Sequence, residues 1–349
     1  MQALFEKICA ALHLGEMTAA PRQLSGGHSH RMFALTTTRG RYAVKLLNPE
    51  VMARPDALAN YASCVAFEAR LEAAGLPILP AKVIDGHRMH CVDGQYLYVF
   101  DYYGGRVLPD SEITPAHCAA MGEVLARIHA TAIAPGKTAP FSEGGGSGGT
   151  GGSPDWPPLV AALLRNPESR AEGADMHRAL PQLIRVTRAM ELASARLPCR
   201  EALCHNDMDG KNVLWQGSDF RIIDLECLGP ANPEQELLDL AVSWAGYELD
   251  ETKFRAFVTA YLAAGGRVTS DPADLYDSRR NHLDWLAYNA RRALPASLPE
   301  GGSSAGAGGS DAEERRIGRT QIADSLHKLA WDQRNRAKIL GWMEEALHP

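Results

Sequence analysis

The sequence lacks any Cys-x-x-Cys pair, any regularly spaced set of cysteines and any long apolar run. Its seven cysteines are scattered over apolar segments, which argues against a disulfide framework and is typical of reduced thiols in a protein core. No apolar stretch approaches the ~20 residues that a membrane-spanning helix needs. No basic segment followed by an apolar one resembles a leader at the start of the chain. We therefore expect a cytoplasmic protein without a membrane anchor.

Positive charge is also in deficit. The chain has 36 Lys and Arg against 42 Asp and Glu, a net charge of −6, which argues against nucleic acid or an anionic membrane as the main partner. The residues up to Gly104 hold 10 basic and 9 acidic side chains, so the remaining 26 basic and 33 acidic ones give the later part of the chain a charge of −7. The length of 349 residues is sufficient for two modest lobes, each with its own core.

The stretch from Cys204 to Glu226 carries the most informative pattern. Two short apolar runs, Val213–Trp215 and the run that ends on Asp224, come after a polar loop and are separated by a turn at Gln216–Asp219. They predict two short strands with polar side chains at their ends, a layout that aims several groups at one point.

Asp207, Asn212 and Asp224 are the residue types that phosphoryl transfer from ATP needs. Asp207 and Asn212 are five residues apart, and Asp224 comes twelve residues later. A carboxylate such as Asp207 can orient a hydroxyl and accept its proton, while the oxygens of Asn212 and Asp224 suit Mg²⁺. The catalytic loop of protein kinases places an Asp and an Asn at this separation, with a metal-binding Asp after them. A polar hairpin at a sheet edge is the alternative, and three matched positions in the right strand context argue against it.

At these residues the chain resembles the aminoglycoside phosphotransferase and choline kinase family, the small-molecule branch of the protein-kinase-like fold. His205, Asp207 and Asn212 match the H-x-D-x-x-x-x-N loop of that family, Ile223–Glu226 matches its I-D-x-E/D segment, and Asn232–Trp244 is similar to the family's segment after the metal-binding Asp. The resemblance covers most of the chain. It implies ATP as donor, Mg²⁺ as cofactor and a hydroxyl group on a small molecule as acceptor, without naming that acceptor. We expect His205 to buttress the loop by hydrogen bonding.

The fold that this resemblance implies is α+β and two-lobed, with a small antiparallel-sheet N-lobe and a larger, mainly helical C-lobe. We place the nucleotide-binding lobe at residues 1–103 and the catalytic and substrate-binding lobe at residues 104–349. Two Gly/Ser-rich segments, 144–153 and 301–310, have the composition of flexible linkers. They are either natural insertions or engineered loop replacements. Because both fall between helical segments, we expect surface loops without a catalytic part.

The N-lobe carries the residues expected to hold the nucleotide. Ser25, Gly26 and Gly27 form a small turn whose N–H groups could lie over the phosphates, although an ordinary hairpin turn explains them nearly as well. Lys45 ends the apolar run Tyr42–Val44, which is the placement of the kinase lysine that pairs with the α- and β-phosphates.

Two later segments complete the expected nucleotide site. A helix over Tyr61–Leu71 offers Glu68 as the ion-pair partner of the phosphate-binding lysine, with Glu72 one turn further on as the second candidate. The segment after the next predicted strand should be the hinge between the lobes. We expect adenine to bond there to backbone groups near Asp101 and Tyr103.

Acidic residues are the candidates for contact with the acceptor. Asp209 stands two residues after Asp207, where protein serine/threonine kinases carry a lysine that contacts the transferring phosphate. It could lie near a substrate amine, and a solvated loop residue is the alternative. Glu226 is a candidate acceptor contact or else a metal-proximal or loop-bracing carboxylate, and Glu248 could line the acceptor pocket. We assign Lys211 a surface role.

These patterns and the resemblance predict an ATP-dependent O-phosphotransferase, for which GTP is a possible donor. Because the later part of the chain is acidic, we expect a small cationic acceptor, with an antibiotic of the aminoglycoside or basic-peptide type as first candidate. A metabolic kinase for choline, ethanolamine or a sugar-like alcohol is the alternative, since the His-Asn-Asp form of the loop also occurs in choline kinases. A silent nucleotide-binding regulator is a third interpretation, against which the intact set of site residues argues. The absence of D-F-G and A-P-E motifs disfavours a protein kinase.

Overall fold

The computed structural model of the chain describes residues 1–24, 30–133, 153–295 and 310–348. The chain forms two compact units. The first consists of Met1–Thr114, Val124–Glu143 and Ala202–Ala231, and the second of Pro115–Glu123, Gly144–Glu201 and Asn232–Pro349. Both are assembled from segments that are distant in the sequence, whereas the predicted lobes are divided at one point, after Tyr103. That boundary stays a prediction, and the two Gly/Ser-rich segments lie almost entirely outside the described residues.

A five-stranded antiparallel sheet, in the order β1-β2-β3-β5-β4, forms the centre of the first unit. Its strands are β1 (Arg22–Leu24), β2 (Arg31–Thr37), β3 (Gly40–Leu46), β4 (Met89–Val92) and β5 (Gln95–Asp101). Alternate residues of β2, Phe33 and Leu35 among them, are buried in one cluster with Phe5 and Ile8 of helix α1 (Gln2–Ala11), as the two-residue period of a strand requires. The predicted small antiparallel sheet is therefore confirmed.

Helices α2 (Pro49–Met52) and α3 (Ala57–Ala73) come after β3. Tyr61 of α3 is fully buried in a second core cluster with Tyr98 of β5. The helix ends at Ala73, and Gly75 then adopts a positive φ of 67°, which a residue without a Cβ tolerates. The predicted helix over Tyr61–Leu71 lies inside α3.

The segment from 202 to 231 adds two strand pairs to the first unit. The strands are β6 (Ala202–Cys204), β7 (Val213–Gln216), β8 (Asp219–Ile222) and β9 (Gly229–Ala231). β7 pairs with β8 and β6 pairs with β9, both antiparallel. Gly217, with φ of 64°, makes the turn between β7 and β8, and the rings of Trp215 and Phe220 pack 4.7 Å apart across that pair. The two short strands predicted around this turn are confirmed.

The described part of the second unit is helical. Its helices are the part of α4 (Pro115–His129) up to Glu123, followed by α5 (Trp156–Arg165), α6 (Arg170–Ser194), α7 (Pro233–Ala245), α8 (Glu251–Ala263), α9 (Pro272–Asp277), α10 (Asn281–Arg292) and α11 (Ser310–Leu347). Trp156, Leu183, Leu286 and Ile322 share one buried cluster, and the Trp156 indole N–H donates to Thr187 Oγ1 at 2.8 Å. Within the described ranges, no helix is both long and apolar enough to cross a membrane.

The apolar residues of Leu275–Leu294 are spaced as in one helix, and the prediction of a single helix from this spacing is wrong. The structure has α9 and α10 with a break over 278–280. The reason is a tertiary contact, because the Gln235 amide donates to both the carbonyl and the hydroxyl oxygen of Ser278. The Ser278 hydroxyl also donates to the Leu275 carbonyl, which competes with helix continuation.

Candidate active site

The loop His205–Asn212, which we name the catalytic loop, lies between β6 and β7. The Asn212 amide Nδ2 donates to the main-chain oxygen of Asp207 and to its carboxylate Oδ2, both at 2.8 Å. The Asp207 N–H donates to His205 Nδ1 at 3.3 Å, and the His205 side chain is fully buried, in agreement with the predicted buttress. The five-residue spacing thus closes the loop on itself and fixes the orientation of the Asp207 carboxylate.

Asp224 is joined to the catalytic loop through the backbone, since the N–H of Ile223 donates to the Asn212 carbonyl at 2.9 Å. Asp224 has φ 62° and ψ 58°, a left-handed conformation that Asp adopts more readily than most residues. This turn comes directly after β8 and leaves 38% of the Asp224 side chain exposed. The structure therefore brings the three predicted catalytic residues to one place.

Lys45, on β3, reaches this place from 179 residues away in the sequence. Its Nζ lies 2.8 Å from Asp224 Oδ1 and 2.7 Å from Glu226 Oε2. Burial alone would lower the pKa of Lys45, but Glu226 and Asp224 outweigh burial and raise it. Burial likewise acts to raise the pKa of Asp224, and Lys45 reverses this and holds it below its ordinary value. Both groups are therefore charged at neutral pH.

Glu226, the second carboxylate that pairs with Lys45, is buried, with 6% of the residue exposed. Burial raises its pKa and dominates over the opposing charge of Lys45. His30, which is also buried, places Nε2 at 3.4 Å from Glu226 Oε2 and contacts the Tyr61 hydroxyl at 3.0 Å. Of the roles predicted for Glu226, this burial favours the bracing carboxylate. Its contact with an acceptor stays a prediction.

The predicted ion pair between Lys45 and Glu68 is wrong for this structure. The Glu68 carboxylate accepts from the Ala81 N–H at 2.5 Å and from Arg88 Nη1 at 3.1 Å. Arg88 is 8% exposed and also pairs with Glu72, the second candidate for the partner of Lys45. Both carboxylates are therefore ion-pair partners of a buried arginine. Burial raises the pKa of Glu68 to about 7, against the opposing effects of the Ala81 N–H and Arg88. A contact of Glu68 with nucleotide stays a prediction.

Lys211 is the site residue that sequence reasoning undervalues. Its Nζ lies 2.9 Å from Asp207 Oδ1 and 3.9 Å from Asp209 Oδ2, with 62% of the side chain exposed. The predicted surface role therefore describes Lys211 only in part, because its ammonium forms an ion pair with Asp207, the predicted base. A signal for this contact exists in the sequence, since Lys211 stands four residues after Asp207. Burial raises the pKa of Asp207 above its ordinary value, and Lys211 opposes this.

The remaining predicted residues in the described part of the chain are Asp101 and Tyr103 at and after the end of β5, Asp209 in the catalytic loop and Glu248 in the second unit. Asp101 ends β5 and accepts from Lys82 at 2.7 Å, and the Tyr103 hydroxyl donates to Asp219 at 3.4 Å, so the backbone contacts expected for adenine stay predictions. The turn Ser25, Gly26 and Gly27 lies outside the described residues. Asp209 is 40% exposed, and Glu248, in the second unit, is exposed. Their contacts with an acceptor are untested.

Asn212 and Asp224 have the chemistry that a divalent cation requires. The Asn212 amide nitrogen is used by Asp207, which leaves its carbonyl oxygen as the ligand atom. One Asp224 carboxylate oxygen is held by Lys45, which leaves the other. Oxygen ligands of these two kinds suit Mg²⁺, so the residues present fit the predicted cofactor.

Comparison with known protein families gives a match over most of the chain. The model of a family described as a phosphotransferase enzyme family matches residues 21–302. This span contains Lys45, the catalytic loop and Asp224, and it extends over more than half of the chain. No curated protein matches the chain by sequence.

Solved structures resemble the chain over nearly its whole length. A spectinomycin phosphotransferase, in complex with ADP and spectinomycin, is 13% identical with a TM-score of 0.71, covering 95% of this chain and 98% of that one. A choline/ethanolamine kinase family protein from Mesorhizobium loti is 18% identical with a TM-score of 0.61, covering 96% of each chain. A microcompartment-associated aminopropanol kinase is 16% identical with a TM-score of 0.60, covering 97% of this chain and 98% of that one. These likenesses confirm the predicted α+β kinase-like fold.

Proposed function

Because the chain belongs to the phosphotransferase enzyme family, we propose that it moves the γ-phosphate of ATP to a hydroxyl group of a small, cationic molecule. The observation that carries this proposal is the hydrogen bond of 2.8 Å from Asn212 to the Asp207 carboxylate. A second bond of 2.9 Å, from the N–H of Ile223 to the Asn212 carbonyl, holds the neighbouring Asp224 at the same place. Lys45 lies against Asp224 at the same place. A base, two oxygen ligands and a fixed cation are the groups that phosphoryl transfer to an alcohol needs.

Asp207 is the base in this proposal. It orients the acceptor hydroxyl and accepts its proton, while Asn212 holds one carboxylate oxygen in place. Burial raises the pKa of Asp207, which brings its proton affinity closer to that of an efficient base near neutral pH. The hydroxyl oxygen then attacks the γ-phosphorus, and ADP leaves.

In this proposal the nucleotide is held by Lys45 and by the two residues that fit Mg²⁺. Lys45 binds the α- and β-phosphates, and Glu226 keeps its ammonium in position from the buried side. Asn212 and Asp224 would hold Mg²⁺ through their side-chain oxygens. When bound, Mg²⁺ neutralises charge on the transferring phosphoryl group. Adenine binding near Asp101 and Tyr103, and the use of GTP as donor, belong to the same proposal.

The acceptor class rests on charge. The chain after Gly104 carries −7, which favours a cationic molecule, and our first candidate is an antibiotic of the aminoglycoside or basic-peptide type. A spectinomycin phosphotransferase has the same fold. A metabolic kinase for choline, ethanolamine or a sugar-like alcohol is the second candidate, because a choline/ethanolamine kinase family protein resembles the chain over a similar share of its length. We also propose a cytoplasmic location, where the free cysteines would stay reduced.

The test is ADP release with Mg²⁺-ATP and Mg²⁺-GTP across aminoglycosides, basic peptide antibiotics, choline, ethanolamine and amino sugars. Asp207→Ala should lower turnover on any accepted molecule by about 10²–10⁴-fold, the usual contribution of a positioned base. The matched control is Asp175→Ala, which removes an exposed carboxylate from α6 and should leave turnover near that of the wild type.

Four outcomes of this assay are decisive. Turnover on antibiotics that needs Asp207 supports the first candidate, and turnover confined to choline or ethanolamine supports the second. Near-normal turnover in Asp207→Ala would remove Asp207 from its role. Mg²⁺-ATP binding without turnover on any acceptor would favour a nucleotide-binding regulator.

A further inference from the structure

Lys211 and Lys45 both lie at the candidate active site, but they differ in burial and in the carboxylates that they contact. Lys45 is 8% exposed and is held by Asp224 and Glu226. Lys211 lies in the 3₁₀ turn Gly210–Asn212, next to the metal ligand Asn212, and 62% of its side chain is exposed. An exposed lysine in an ion pair gives up little free energy when it exchanges one anionic partner for another. Lys211 is therefore able to move, and Lys45 is not.

The atom that Lys211 contacts is important for the reaction. Its ammonium lies 2.9 Å from Oδ1 of Asp207, while Asn212 occupies Oδ2. Both oxygens of the base thus carry a partner in this structure, and an acceptor hydroxyl needs one of them. Release of Oδ1 by Lys211 keeps the orientation of the carboxylate, because the Asn212 bond remains.

We propose that Lys211 is a further nucleotide-binding residue, which exchanges Asp207 Oδ1 for the terminal phosphate of ATP. This inference rests on the proposed function, since the phosphate must lie beside Asp207 for a hydroxyl bound there to reach it. In the transfer, the hydroxyl oxygen forms a bond to the γ-phosphorus, its proton passes to Asp207, and the bond to the bridging oxygen of ADP breaks. Lys211 keeps its own protons throughout and supplies positive charge to the phosphoryl oxygens.

The test measures equilibrium binding of Mg²⁺-ATP and Mg²⁺-ADP and needs no acceptor. Lys211→Met should weaken ATP binding by about 3–10-fold, the range of one exposed charge-assisted contact, and leave ADP binding unchanged. Lys211→Arg should retain most of the preference for ATP. The matched control is Lys7→Met, which removes an ammonium of similar exposure, 58%, from an ion pair of 2.6 Å with Asp93. Melting temperatures establish that each variant is folded.

Equal weakening of ATP and ADP, or no change in either, would overturn the inference. The first result would make Lys211 a residue that shapes the loop, and the second would make it a surface ion pair. Both leave the proposed function standing if wild-type turnover still depends on Asp207. Failure of the wild type to bind Mg²⁺-ATP would instead overturn the proposed function together with this inference.

Discussion

The buried carboxyl of Glu68 gives the stability of the first unit a specific dependence on pH. Its pKa is raised from an ordinary value of 4.5 to about 7. At about 1.4 kcal/mol per pKa unit, this difference of about 2.5 corresponds to roughly 3–4 kcal/mol. Because Glu68 is 6% exposed, solvent screening removes little of this figure. Glu68→Gln keeps an oxygen that can accept from the Ala81 N–H and removes the titration.

The sign of the pH dependence comes from the proton count of the two states. Between pH 4.5 and about 7 the folded chain keeps the Glu68 proton and the unfolded chain has lost it. Stability therefore falls as pH rises through this range. We expect the free energy of unfolding of the wild type, relative to that of Glu68→Gln, to fall by up to roughly 3–4 kcal/mol over this range. The comparison between the two proteins cancels the titration of all other groups that the substitution leaves undisturbed.

The assay is urea unfolding of both proteins at several pH values, with the free energy extrapolated to water. Glu72→Gln is the matched control, because Glu72 pairs with the same Arg88 from a side chain that is 48% exposed. A smaller change is expected there, since an exposed pair contributes little. Parallel stability curves for the wild type and Glu68→Gln would refute the reasoning, because burial of Glu68 would then have no effect on its ionisation.

Two further predictions concern the fixed lysine and the helical unit. Lys45→Met leaves Asp224 and Glu226 without their cation, so the free energy of unfolding should fall by about 3–5 kcal/mol and ATP binding should weaken. Unchanged melting and binding, measured beside Lys7→Met, would contradict this. Gly122→Ala would place a Cβ 2.1 Å from the Phe257 carbonyl oxygen, and a loss of about 1–3 kcal/mol is expected by thermal unfolding. Gly341→Ala, whose Cβ would meet nothing within 4 Å, should be neutral or stabilising, and equal melting of the two variants would refute the clash.

The parts of the site that sequence predicts are those set by short separations. Asp207 and Asn212 are five residues apart and bond directly, so spacing alone brings them together. Asp224 comes after a strand pair whose turn at Gly217 is visible in the sequence. Lys45 is far away in sequence, and its role is predicted from the family resemblance and the apolar run before it rather than from distance.

Contacts between distant segments account for the pairings that sequence reasoning misses. A carboxylate on a helix can pair with a lysine on a strand, which favours Glu68 as the partner of Lys45. The actual partner of Glu68 is Arg88. Arg88 lies in a segment whose sequence shows no periodic pattern, so this pairing is not predicted. Because Arg88 is buried, it requires carboxylate partners. Glu68 and Glu72 supply them, and the Ala81 N–H adds a second donor to Glu68. Lys45 then takes its counter-charges from Asp224 and Glu226. Which ions pair inside a fold therefore depends on all the buried charged groups together, whereas a spacing rule considers only one pair at a time.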